Sequence, residues 1–324
     1  MKFTYTLGTI VLGSILLTGG CSQLEKLDEK LDKKNAELTK KLGGTPVDDE
    51  DTPSKTDNQE LYARVQDYTG EGFYLPNSGT LTDKLAEKHK KEITKAVKEY
   101  FNRSYHTEIT VHNLVGARDG ISVFVESVGE PHFYTLAIVP VNLSNKEILL
   151  DRIQSLEGDV ESSIETGLYA MLYKNELQQL DKYLENIQIR FPVTGMRIEA
   201  IQKTAANGFA KSEYYISNFD KTLDELGRKY VQDPANTINR IKAGNKPALD
   251  PKEINITIQL FMKDSNAEPD QSIFDQIVSE IKGKREFPPG IYNVILNDNK
   301  IIKRTGTGQK DNSLETTDGT IILN

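Results

Sequence analysis

The sequence predicts an α+β fold, with antiparallel sheets packed against helices and a flexible N-terminal stalk ahead of them. Three observations predict it. Apolar residues recur at steps of three and four over several long segments, which is the helical period. Short extended runs follow one another with only Gly- and Pro-containing turns between them, as antiparallel strands do. Ahead of residue 60 the chain is charged and punctuated by Gly and Pro, and so lacks the makings of a core.

The chain opens on Met1-Lys2, an apolar run over residues 3–17, and then Leu17-Thr18-Gly19-Gly20-Cys21. A basic start, an apolar stretch and a small-residue exit are the form of a secretory signal, and the run is shorter than the ~20 apolar residues of a spanning helix. Cys21 is the only cysteine among 324 residues, so neither an intramolecular disulfide nor a thiolate metal site is available. The segment resembles the lipobox of bacterial lipoproteins, which implies a diacylglycerol on Cys21 and cleavage just before it. Thr18 departs from that pattern, in which Leu is commoner at the third place before the cysteine. One acyl chain binds a membrane only marginally, at ~0.8 kcal/mol per buried CH₂, while two anchor it stably. The expected location is therefore the extracytoplasmic face of the cell membrane.

Residues 22–42 place Leu24, Leu27, Leu31, Leu38 and Leu42 among alternating acids and lysines, a helix-prone stalk whose apolar seam is interrupted by Lys34 and Lys41. Gly43-Gly44-Thr45-Pro46 and the acids of residues 48–51 then form a linker reaching about Gln59. The composition of the whole, with 37% hydrophobic and 27% charged residues and a formal charge of −8, is that of a globular chain. An acidic balance is a poor match to nucleic acid, whose phosphates call for clustered Lys and Arg.

The folded part is expected to start near Leu61. Residues 70–77 read as a loop with apolar pins, and residues 82–101 as a helix capped by Thr82. Extended runs at 108–115, 120–128 and 132–141 read as a meander. A long helix is expected over 159–187, a short strand broken at Gly195 over 190–199, and a helix over 213–230 followed by a helical turn reaching Ile241. Beyond a loop at 244–251 come a strand at 254–262, a helix at 271–281, and a hairpin of 292–296 with 300–304 turned by Asn297-Asp298-Asn299. The polar residues 305–319 read as mobile, and 320–323 as an edge strand. The organisation is then a signal (1–20), a lipidated stalk and linker (21–60), and two α+β halves (61–205 and 206–324), joined in one domain or standing as two.

No motif brings chemistry with it. His106, Glu108 and His112 share parity on an expected strand, but at ~3.3 Å per residue the two histidines lie about 20 Å apart, far beyond one ion's reach. They read as a solvated face. His132 sits in a turn with no serine or acid partner identifiable by spacing. Gly306-Thr307-Gly308 with Lys310 lacks the Walker spacing and its strand-to-helix context. The acid pairs Asp159 with Glu161 and Asp224 with Glu225 read as solvated helix surface, and Tyr214-Tyr215 and Tyr169 with Tyr173 as half-buried core. No G-x-S-x-G element occurs. No catalytic, metal or cofactor residue is assigned, and Cys21 alone is marked as a site.

The lipobox, the charged stalk and the block Tyr68-Thr69-Gly70-Glu71-Gly72-Phe73 before a lysine-rich helix resemble a lipoprotein family of Gram-positive bacteria that has no assigned activity. That resemblance spans essentially the whole chain and implies the address alone. The expected role is a non-catalytic binding or interaction module, held to the membrane by its lipid and meeting a protein or cell-envelope ligand. The rival expectation is a cell-envelope hydrolase whose residues are scattered in sequence.

Overall fold

The structure, a computed structural model, describes residues 61–75, 79–206, 208–317 and 321–324, all within one compact unit, Lys55–Asn324. The signal, Cys21, the stalk and the linker lie outside the described residues.

The unit starts with β1 (Tyr62–Arg64), a loop, and helices α1 (Thr80–Lys88) and α2 (Lys90–Tyr105). The single helix expected over 82–101 is thus two. His89 leaves helical geometry at φ −108° and ψ 18°, and Thr82 is not the cap but a buried residue inside α1. Its hydroxyl donates to the carbonyls of Gly79 and Ala117, both at 2.7 Å. The expected meander follows as β2 (Ile109–Gly116), β3 (Gly120–Ser127), β4 (Tyr134–Asn142) and the short β5 (Glu147–Ile148), paired antiparallel in that order. Ile121, Val123 and Val125 of β3 meet Ile93, Val97 and Phe101 of α2 in one core. The β2–β3 register shifts between Val111 and Asn113, so His112 is the extra residue of a bulge, a device that re-aims a side chain.

The long helix expected over 159–187 also divides, at Tyr173, into α3 (Asp159–Leu172) and α4 (Lys174–Arg190). Next come β6 (Val193–Thr194) and, where the end of a strand was expected, a short helix α5 (Ile198–Thr204). The expected helix over 213–230 is corrected more deeply. Residues Tyr214–Asn218 form β7, alternating buried and half-buried along β8, and α6 (Lys221–Gln232) begins only after Asp220. The four-residue spacing of Tyr215, Phe219 and Leu223 imitates a helix, but Asp220 accepts from the backbone N–H of Thr222 and Leu223 at 2.7 and 3.0 Å. That side-chain cap fixes where the helix starts, and Phe219 is left outside it, 54% exposed. Helix α7 (Pro234–Lys242) follows Asp233, with proline in its first turn as expected of a helix start.

The second sheet is built on β8 (Ile254–Met262) and β9 (Gly290–Asn297), joined by α8 (Gln271–Lys282). These two strands are parallel, Ile256 opposite Tyr292 and Leu260 opposite Leu296. Being buried on both faces, they carry nearly continuous apolar runs. β6 and β7 pair with β8, and β11 (Leu314–Glu315) and β12 (Ile322–Leu323) pair with β9, all antiparallel. The expected hairpin is absent. Asn297-Asp298-Asn299 does turn the chain, but β10 (Lys300–Ile302) pairs with β1 instead of β9.

One core cluster runs through residues on both sides of position 205, from Ile93 and Val123 to Ile258 and Val294. A smaller one joins Val65, Tyr68, Ala200, Phe261 and Ile301. Of the apolar pins expected in residues 70–77, Phe73 is in place, and Tyr68 just before them is held as well. The Tyr68 hydroxyl donates to the carbonyl of Lys303 at 2.9 Å, and Phe73 meets Phe124 edge-on with ring centres 5.5 Å apart.

Candidate functional site

Two features of the folded unit bear on function: a polar cluster on the first sheet and a groove between α6 and α7.

The cluster centres on Glu126, the one charged residue of strand β3. His112 Nε2 lies 2.7 Å from Oε2 and His132 Nε2 lies 2.9 Å from Oε1. Gln202 Nε2 of α5 donates to Oε2 at 3.1 Å, and the Tyr134 hydroxyl to Oε1 at 3.3 Å. The bulge at His112 turns that ring toward β3, while His132 reaches back from the turn before β4. His132 is also held edge-on by the rings of Tyr134 and Phe209, with centres 5.1 and 5.9 Å away. Burial by itself raises the Glu126 carboxyl, but the hydrogen bonds and charges of His132 and His112 prevail and hold it below the ordinary value. Burial, helped by the same carboxylate, pushes the Tyr134 hydroxyl up. The Glu126 carboxylate thus receives four donors from two strands, a turn and a helix. Chemically it orients two imidazoles, whose nitrogens already point at its oxygens.

These placements revise the sequence reading of the histidines. His106 is not on a strand but ends α2 in left-handed geometry, φ 51°. His112 faces Glu126 instead of lying on a solvated face, and His132 has an acid partner after all. Among the described residues, no group of three or more His, Cys, Asp or Glu is placed to hold a metal ion. The cluster was hidden because its members become neighbours only through the strand register and the bulge. The one local signal is a glutamate inside the apolar run Ile121-Ser122-Val123-Phe124-Val125.

The groove holds about 760 Å³ and lies between α6 and α7, bordered by residues 244–247. Glu225, Leu226 and Lys229 line it from α6, Asn236 and Arg240 from α7, and Lys246 from the loop beyond. Lys246 is drawn aside by Glu176 at 2.7 Å and stands 4.0 Å above the Tyr173 ring. Asp233, also in the lining, accepts from the Asn236 backbone N–H at 3.1 Å. The lining thus mixes charges of both signs with amides and hydroxyls over an apolar strip of Leu226, Ile241 and Pro247, a composition suited to a polar ligand with some apolar surface.

The other singled-out residues have structural partners. Lys310 Nζ bonds Asp298 at 2.8 Å and the carbonyls of Lys300 and Gly308 at 2.7 Å each, and Gly308 lies against the Phe261 ring, where a side chain would collide. Tyr169 packs on Tyr173, ring centres 4.7 Å apart, with its hydroxyl bonded to the carbonyl of Pro289. The Tyr214 hydroxyl donates to Asp181 at 3.0 Å. Asp224 pairs with Arg228 on the surface of α6 at 2.7 Å.

No curated protein matches the chain. Among solved structures, it is similar to the crystal structure of a DUF1672 family protein from Staphylococcus aureus subsp. aureus Mu50. The TM-score is 0.60 at 20% identity, covering 79% of this chain and 97% of that one, a likeness in fold. The model of the protein family of unknown function DUF1672 matches residues 55–323, the whole folded unit from the end of the linker to the last strand. The chain therefore belongs to the DUF1672 family.

Proposed function

We propose that this protein is a non-catalytic binding module tethered to the extracytoplasmic face of the membrane by a diacyl lipid on Cys21. Support for the tether comes from Leu17-Thr18-Gly19-Gly20-Cys21 and from the charged, Gly- and Pro-punctuated stretch that leads to the folded unit. The observation that carries the binding role is the α6–α7 groove, whose volume is in the range of small-ligand sites. Lys229 and Arg240 line it, and among the described residues neither side chain is paired with an acid.

The test is a thermal-shift screen against metals, sugars, peptides and cell-wall fragments. A ligand at a hundredfold its dissociation constant adds ~2.7 kcal/mol, several degrees at roughly 2–4 °C per kcal/mol for a unit of this size. A shift that is abolished by Asn236→Trp, which fills the groove from α7, supports the reading. A shift indifferent to that substitution overturns the groove as the binding site.

A second reading, a cell-envelope hydrolase, draws support from Glu126. A carboxylate that fixes an imidazole is half of an acid–base device, and His132 keeps a third of its side chain exposed at 34%. Hydrolysis of a cell-wall fragment that is lost in His132→Ala would favour it over the binding module.

A further inference from the structure

The packing of α3 on α6, beside the groove, contains a buried acid that neither the Glu126 cluster nor the groove lining uses. Glu165 of α3 is only 7% exposed. Its Oε2 accepts from Asn218 Nδ2, at the end of β7, at 2.7 Å. Its Cγ rests on Gly227 of α6, where even a Cβ would stand 2.8 Å away. Burial pushes the Glu165 carboxyl up to about 7. The neighbouring acids Asp224 and Glu161 push the same way, and the Asn218 amide and Arg228 oppose them.

The groups that face Glu165 are few. On its own helix Glu161 lies one turn earlier, with Oε2 buried and unbonded. On α6 stand Asp224 and Arg228, bonded to each other. From β7 comes only the neutral Asn218 amide. An ionised Glu165 would thus sit out of water near two further carboxyls, with one neutral donor and a guanidinium already engaged by Asp224. Burying a charge without a dedicated partner is strongly unfavourable. At 100° per residue, the stripe of α6 holding Asp224, Gly227 and Arg228 is opposite the one holding Thr222, Glu225, Leu226 and Lys229, which lines the groove.

We propose that protonation of Glu165 keeps α6 seated on α3 and that its ionisation loosens α6, so that the groove on the far side of α6 is shaped by pH. The consequence for binding rests on the reading of that groove as the ligand site. Acidic conditions hold the groove in the described form, and mildly alkaline ones release it.

Amide hydrogen exchange of the full chain, at pH 6 and pH 8 and corrected for intrinsic chemical exchange, tests this without any ligand. Between these values the acid passes from mostly neutral to mostly ionised, so residues 221–232 should lose protection by roughly tenfold. Residues 90–105 of α2 are the reference and should not change. In Glu165→Gln, which keeps an acceptor for Asn218 but has no charge, α6 should be as protected at pH 8 as at pH 6. Asp224→Asn, a change at a half-exposed side chain, should move the wild-type transition to lower pH, because a charge that raises the Glu165 carboxyl disappears and Arg228 is freed to face it; an unmoved midpoint, or one moved upward, contradicts the coupling. The idea is overturned if α6 responds to pH no more than α2 does, or if Glu165→Gln keeps the wild-type response. A silent ligand screen would leave this result standing, and a flat exchange profile would leave the groove's ligand standing.

Discussion

His112 and His132 bind opposite oxygens of one carboxylate, at 2.7 and 2.9 Å, although twenty residues of chain separate them. They clamp Glu126 from β2 on one side of β3 and from the turn before β4 on the other. Replacing Glu126 with Gln keeps the shape but puts an amide donor where four donors already converge. Unfolding in urea at neutral pH should show a loss of about 1–3 kcal/mol. The pH sign follows from the depressed carboxyl. Its stabilisation is complete above the ordinary value of 4.5 and is lost as pH falls below that toward the folded value. Wild-type stability should therefore drop below about pH 4.5, and the Gln variant should lack that component of the drop.

Lys310 should prove structural. It donates to a buried Asp298 that also receives the Lys300 N–H at 2.9 Å and Asn312 at 3.1 Å, and these bonds hold the Asp298 carboxyl low against the effect of burial. Lys310→Met removes one partner and leaves the other's charge buried, a change that costs roughly 3–5 kcal/mol when a buried pair is broken. The melting temperature of Lys310→Met should fall well below that of Lys310→Met combined with Asp298→Asn. Equal melting temperatures would show that the ion pair is not what anchors this stretch.

Gly227→Ala tests the close approach of α3 and α6. Alanine is the better helix former by ~1 kcal/mol, so an isolated α6 would gain. Against Glu165 its Cβ would press on Cγ at 2.8 Å, and overpacking of this kind costs about 1–3 kcal/mol. A net loss in thermal stability is expected, and a gain would mean the two helices part easily.

The proposed lipid on Cys21 is open to a direct check. Cys21→Ala should move the protein out of the detergent-rich phase in phase partition. Continued partition into detergent would rule out the acyl anchor.

The α+β class, the meander of β2 to β4, strand β8 and helix α8 were legible because each announces itself locally, by period, by turn residues or by a run of Ile and Leu. Such signals need only a few consecutive residues. The helix breaks at His89 and Tyr173 were not legible, since the apolar spacing runs on across both and neither Gly nor Pro marks them. β7 was read as helix because Tyr215, Phe219 and Leu223, four apart, fit a helical stripe, and pairing with β8 made the choice.

Membership of sheets depends on which strands meet. The parallel pairing of β8 with β9 and the capture of β10 by β1 are contacts between distant segments. Glu126 likewise acquired its partners only when strand register and one bulge set three strands and α5 side by side. What this sequence determined by itself is its fold class and most of its elements, because those are written in neighbouring residues. What tertiary structure decided is the histidine-clamped carboxylate, the groove and the buried Glu165, because burial, charge and close approach are properties of residues brought together from far along the chain.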